Sequence, residues 1–152
     1  IKRKFPMNDL GDLDSIKKLR KMFLGYPQST LGIDEVLYLN TQKGEASARY
    51  IATESMCHSG GIVQGGFITG WIDAIMALAC MSKCGSDVLV LTLEIKVNFI
   101  NSATIGKNIS TAKVIKNTKS IAFIEGKLEN SEGQLIATAT CTAKLKPNFY
   151  KH

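Results

Sequence analysis

Residues 67–84, FITGWIDAIMALACMSKC, carry almost no polar side chains, and Asp73 is the only formally charged residue between His58 and Lys83. A stretch that is apolar on nearly every side must be surrounded, either by lipid or by the rest of its own chain. The uninterrupted apolar run is shorter than the roughly 20 residues that cross a bilayer, and it contains Asp73. The expectation is therefore a buried central helix with no membrane partner. Gly66, Gly70, Ala74 and Ala77 give one side of it small side chains, which let another surface approach closely.

The residues that follow can wrap such a helix. Over 88–100, Leu91, Leu93, Ile95, Val97 and Phe99 alternate with Thr92, Glu94, Lys96 and Asn98, which predicts a long strand with one apolar face. Strands are expected over 106–116, 120–129 and 134–145, joined by short turns at Asn117-Thr118-Lys119 and Asn130-Ser131-Glu132-Gly133, so they should pair as an antiparallel meander. Upstream, 34–41 and 45–52 read as a hairpin around Gln42-Lys43-Gly44. Residues 8–24 place Leu10, Leu13, Ile16, Leu19, Met22 and Phe23 at helical spacing, with Asp9, Asp12 and Asp14 early and lysines late. The order helix, two strands, buried helix, four strands predicts an α+β domain in which a curved antiparallel sheet surrounds one helix.

A chain of 152 residues has room for one such domain. Its 19 basic against 13 acidic residues give a net charge of +6, which suits an anionic partner. Nucleic acid is not the expected one, because the basic residues sit at the ends and in scattered pairs (Lys2–Lys4, Lys17–Lys21, Lys144–Lys151) without interleaved aromatics. Cys57, Cys80, Cys84 and Cys141 lack metal-site spacing, so no metal is expected, and they read as core thiols of a reducing, cytoplasmic protein. Lys2-Arg3-Lys4 runs into Phe5-Pro6-Met7-Asn8-Asp9 instead of an apolar stretch, so no signal peptide is expected.

Asp73 marks where chemistry can lie. A carboxylate in so apolar a helix must be hydrogen-bonded, neutralised or open to solvent on one side. Gly65-Gly66, at the expected helix start, offers bare N–H groups at the positive end of the helix dipole. An acid two turns further on sets a carboxylate near an oxyanion site, a pairing suited to acyl transfer. His58 and Gln64 flank this loop, and His58 is the one histidine besides His152, a candidate for holding a water or a substrate oxygen. The chain has no G-x-S-x-G elbow, phosphate loop or dinucleotide fingerprint.

The segment Gly60-Gly61-Ile62-Val63-Gln64-Gly65-Gly66-Phe67, Asp73 eight residues after Gly65, the strand Leu91–Asn101 and the final Ala137–Thr142 together resemble the hotdog-fold acyl-CoA thioesterases of the phenylacetate-pathway (PaaI) type. The resemblance covers residues 30–146, leaving 1–29 as an N-terminal helix and linker and 147–152 as a tail. It implies that Asp73 is the catalytic carboxylate, as nucleophile or as base for water, and that the Gly65 N–H polarises the thioester oxygen. It puts Gln64 where many members carry a histidine, His58 where asparagine often orients water, and Thr92 where a hydroxyl in relatives reaches the site from the partner subunit. Gly66, Lys119 and Ser120 fall at substrate-binding positions, the last two toward CoA phosphates. It further implies a homodimer or homotetramer that pairs through Leu91–Phe99, with no cofactor, since a carboxylate and N–H donors suffice for a thioester. The rival readings are a hotdog hydratase or dehydratase, disfavoured because no acid–histidine pair is found, and a non-catalytic acyl-CoA binding module.

Overall fold

A computed structural model describes residues 9–148. Lys2–Lys4, Lys151, His152 and the first residue of the expected 8–24 helix lie outside them.

The first helix, α1, spans Leu13–Phe23, shorter than the spacing predicts. Gly11 takes a positive φ of 123°, and the Asp12 carboxylate caps the helix by accepting the Ser15 N–H at 3.0 Å. Asp9 is consequently not part of the first turn. It is ion-paired with Arg20 at 2.8 Å and accepts the Leu39 N–H at 3.0 Å, fastening α1 to the first strand. Ile16, Leu19 and Phe23 enter the core, while Leu10, Leu13 and Met22 stay exposed, because only one narrow face of α1 meets the rest of the chain.

Strands β1 (Ile33–Asn40) and β2 (Glu45–Ala52) form the expected hairpin. A short ladder, β3 (Cys57–His58) with β4 (Ile62–Val63), leads into the central helix α2, Gly65–Cys84. This helix starts two residues earlier than the apolar run and so is long and apolar enough to cross a membrane, but more than half of its most apolar window is buried inside the protein. Strands β5 (Val88–Phe99), β6 (Gly106–Asn117), β7 (Ile121–Asn130) and β8 (Leu135–Pro147) complete one sheet in the order β1-β2-β6-β7-β8-β5, antiparallel throughout.

Trp71, Ile72, Ile75, Met76, Leu78 and Ala79 of α2 are fully buried against this sheet. Trp71 stacks on Tyr50 with ring centroids 5.5 Å apart and donates its Nε1–H to the Leu31 carbonyl at 2.7 Å. The helix packs tightly on the sheet at Gly126 of β7, where a Cβ would stand 2.8 Å from Ile72 Cγ2 and 3.1 Å from Met76 Cγ.

The simple alternation expected along β5 is broken. Thr92 pairs with Ala143 and Glu94 with Thr142, so Leu93 is an extra, bulged residue. The bulge shifts the phase by one residue, so that Val88, Val90, Ile95 and Val97 pack on the core while Leu91 and Leu93 remain 41% and 59% exposed. The apolar face read as Leu91, Leu93, Ile95, Val97 and Phe99 is therefore split, and Thr92 is turned toward α2.

Filling the space at Gly126 should be costly. The Gly126→Ala variant is expected to lose about 1–3 kcal/mol of unfolding free energy by overpacking against Ile72, measured by urea denaturation; unchanged stability would show that α2 has slack at this contact.

Candidate active site

The start of α2 is set up residue by residue. Gln64 is its N-cap, and its Oε1 accepts the Gly66 N–H at 2.6 Å. The Phe67 N–H bonds the Gln64 carbonyl at 3.0 Å, and the Gln64 N–H bonds the Met56 carbonyl at 2.9 Å. Among the described residues no acceptor meets the Gly65 N–H. The cap thus takes up the Gly66 and Phe67 donors and leaves the Gly65 N–H free at the positive end of a 20-residue helix. Gly65 is a glycine because of a close approach, not because of its φ: a Cβ there would lie 3.2 Å from Phe99 Cζ.

Gly65 opens onto a cleft of about 450 Å³ whose walls include His58, Ile62, Ile68, Phe99 and Asn101. His58 is exposed at the end of β3, paired with Ile62. The β3–β4 ladder is what carries this imidazole to the cleft that Gly65 lines.

Asp73 is half-buried and not part of the cleft wall. Eight residues of helix put it about 12 Å along the axis from Gly65. Its Oδ1 accepts the Thr92 hydroxyl at 2.8 Å. Both residues belong to the same chain, so Thr92 meets the carboxylate of its own protomer, because the Leu93 bulge turns it inward. Lys119 and Ser120 lie further still from Gly65. Their turn is closed by Thr118 Oγ1, which accepts the Ile121 N–H at 3.1 Å, and the Ser120 carbonyl accepts the Leu145 N–H at 2.8 Å. This places them at the end of the sheet where Val88 pairs with Pro147, opposite the end where Phe99 pairs with Ala137. One chain therefore holds three separate groups: Gly65, Gln64, Gly66 and His58; Asp73 with Thr92; and Lys119 with Ser120.

Residues 60–137, half of the chain, match the family model described as the thioesterase superfamily. The chain belongs to that superfamily. The match takes in Gly65, Asp73 and Thr92 and makes this thioesterase-superfamily chain a hydrolase. A Saccharolobus solfataricus protein whose name assigns it provisionally as an esterase is 28% identical over 127 residues, 83% of this chain and 89% of that one. The PaaI protein of the E. coli phenylacetic acid degradation operon superposes with a TM-score of 0.78 at 18% identity, over 88% of this chain and 94% of its own. That likeness establishes the hotdog fold. A Streptococcus mutans protein solved with acetyl-CoA bound shares the fold at a TM-score of 0.65 and 18% identity, over 77% of this chain and 89% of its own.

Three features of the candidate site were not read from the sequence. The Leu93 bulge has no local signal, since the surrounding alternation is unbroken as text. Phe99 was legible as a strand residue but not as the wall against Gly65. Thr69, four residues after Gly65, bonds the Gly65 carbonyl at 2.9 Å, and that spacing could have singled it out.

Cys141 adjoins the Asp73–Thr92 pair. Burial pushes its thiol up to about 11, the Asp73 carboxylate adding to the shift, and burial pushes Cys80, whose sulfur is 4.0 Å from that of Cys84, up to about 12. Both thiols fold protonated, so the stability they confer is complete below the ordinary thiol value near 9.0 and is lost as pH rises through about 11 and 12. The denaturation midpoint should fall with pH over that range, and the Cys80→Ala/Cys141→Ala variant should show a shallower fall. An equal slope would contradict thiol burial as its source.

Proposed function

We propose that the protein hydrolyses an acyl-CoA thioester to the free acid and CoA at a site assembled from two copies of the chain. The observation that carries this reading is the separation, about 12 Å along one helix, of the free Gly65 N–H from the Asp73–Thr92 pair. One thioester carbonyl cannot touch both within a single protomer.

The free edge of the sheet offers the remedy. Strand β5 ends the sheet order and exposes Leu91, Leu93 and Phe99, apolar groups that a second β5 would cover as it completes the ladder. Antiparallel pairing of two β5 strands about a two-fold axis carries the Gly65 end of one protomer toward the opposite end of its partner. The partner's cleft then approaches Asp73 and Thr92, with Lys119 and Ser120 beyond them.

In that arrangement the Gly65 N–H, joined by the Nε2–H of Gln64, polarises the thioester oxygen, where negative charge grows in the transition state. Asp73 attacks the carbonyl carbon, or takes a proton from a water that does. Either route breaks the carbon–sulfur bond, releases the CoA thiolate and consumes one water in forming the acid. Thr92 holds the carboxylate in place, and His58 stands on the cleft wall where it can hold water. Lys119 and Ser120 meet the CoA phosphates, which gives the excess positive charge a partner. The acetyl-CoA bound to a fold neighbour supports a CoA thioester as the substrate.

The test is to follow free thiol released from acyl-CoAs of varied chain length and aromaticity. The wild-type protein should release thiol from at least one of them, and Asp73→Asn should reduce kcat about 10²–10⁴-fold. Binding without thiol release would favour a non-catalytic acyl-CoA module, and an Asp73→Asn variant with full activity would remove the carboxylate from the mechanism.

A further inference from the structure

We propose that Thr69 is a positioning residue that, together with Gln64, clamps the Gly65–Gly66 peptide and thereby aims the free N–H of Gly65. Two successive glycines have more backbone freedom than any other pair of residues, and they stand at a helix end, where backbone groups are held least. An oxyanion donor is effective only when it is fixed in place before the reaction, so a diglycine helix start needs external restraint.

The restraint comes from both sides of one peptide plane. Its N–H, that of Gly66, is taken by Gln64 Oε1 at 2.6 Å. Its carbonyl, that of Gly65, accepts the Thr69 hydroxyl at 2.9 Å. The plane before it, between Gln64 and Gly65, is anchored at its carbonyl by the Phe67 N–H at 3.0 Å. With three of the four polar ends of these two planes held, the Gly65 N–H is the remaining one, and Gly65 lines the cleft.

Threonines within helices commonly bond the carbonyl four residues back, and that bond alone carries no function. Here the carbonyl belongs to the residue that bears the free donor, and Thr69 itself is half-buried one helical turn before Asp73. A valine would keep the shape and β-branching of Thr69 and remove only the hydroxyl.

The activity half of the test rests on the acyl-CoA thioesterase reading; the exchange half does not. Thr69→Val is expected to lower kcat for acyl-CoA about five- to twentyfold while leaving KM within about twofold. It should also speed amide hydrogen exchange at Gly66, read by ¹⁵N NMR, with the thermal midpoint unchanged. Thr69→Ser should restore both kcat and Gly66 exchange. A Thr69→Val protein with wild-type kcat and wild-type Gly66 exchange would overturn the proposal, as would a Thr69→Ser protein impaired as much as Thr69→Val. If the wild type releases no thiol, the thioesterase reading fails, while Gly66 exchange still decides whether the clamp exists.

Discussion

The hydrogen bond from Thr92 Oγ1 to Asp73 Oδ1 exists because β5 carries one residue more than its neighbour at Leu93. Asp73 sits in the wall of the most apolar helix in the chain, where an unpartnered carboxylate would be costly. The bulge resolves this by rotating a hydroxyl inward, and the same rotation pushes Leu91 and Leu93 outward onto a strand with a free edge. One extra residue thus satisfies the half-buried acid and also exposes the apolar side chains on which the proposed pairing with a second copy depends. Stability and the proposed shared site have a common structural origin.

The two ends of α2 are handled differently. At the C-terminal end the helix is locked by burial: Leu78, Ala79 and Cys80 are fully enclosed. At the N-terminal end burial gives way to hydrogen bonds, with Gln64 capping Gly66 and Thr69 holding Gly65. The proposed oxyanion donor must be accessible, so it cannot be fixed by packing around it; the chain fixes its neighbours instead. Phe99, which lies against the Cα of Gly65, shows how little room is left for anything larger than glycine.

Much of this was legible in the sequence. The apolar helix and the alternating strands pointed to a curved sheet around one helix, and residues 60–137 match the thioesterase superfamily that the glycine-pair, acid and strand segments resemble. What was not legible depended on register. Alternation in β5 reads as one continuous apolar face, because a bulge is a matter of how two strands count against each other and not of either strand alone. The helix predicted over 8–24 begins at Leu13 for a local reason, since Gly11 and Asp12 end the extended segment there. Asp9 looked like a first-turn acid, but it bonds Arg20 and Leu39 through contacts made only on folding. The separation of Gly65 from Asp73 was also present in the text as eight residues of helix, and its meaning emerged only when the cleft was seen to exclude the acid.

Whether the site is built from two chains can be tested by complementation. Proline is tolerated at the first position of a helix and carries no N–H, so Gly65→Pro, made together with Phe99→Ala to clear the ring that a Cβ there would meet at 3.2 Å, removes the proposed donor, and Asp73→Asn removes the carboxylate. Each variant alone should be inactive as a pure protein. Co-expressed with different tags, they form mixed dimers in which one of the two sites is intact, and unselected dimers should recover about a quarter of wild-type kcat if the halves come from different chains. No recovery in mixed dimers isolated through both tags would contradict a shared site and return the chemistry to a single protomer.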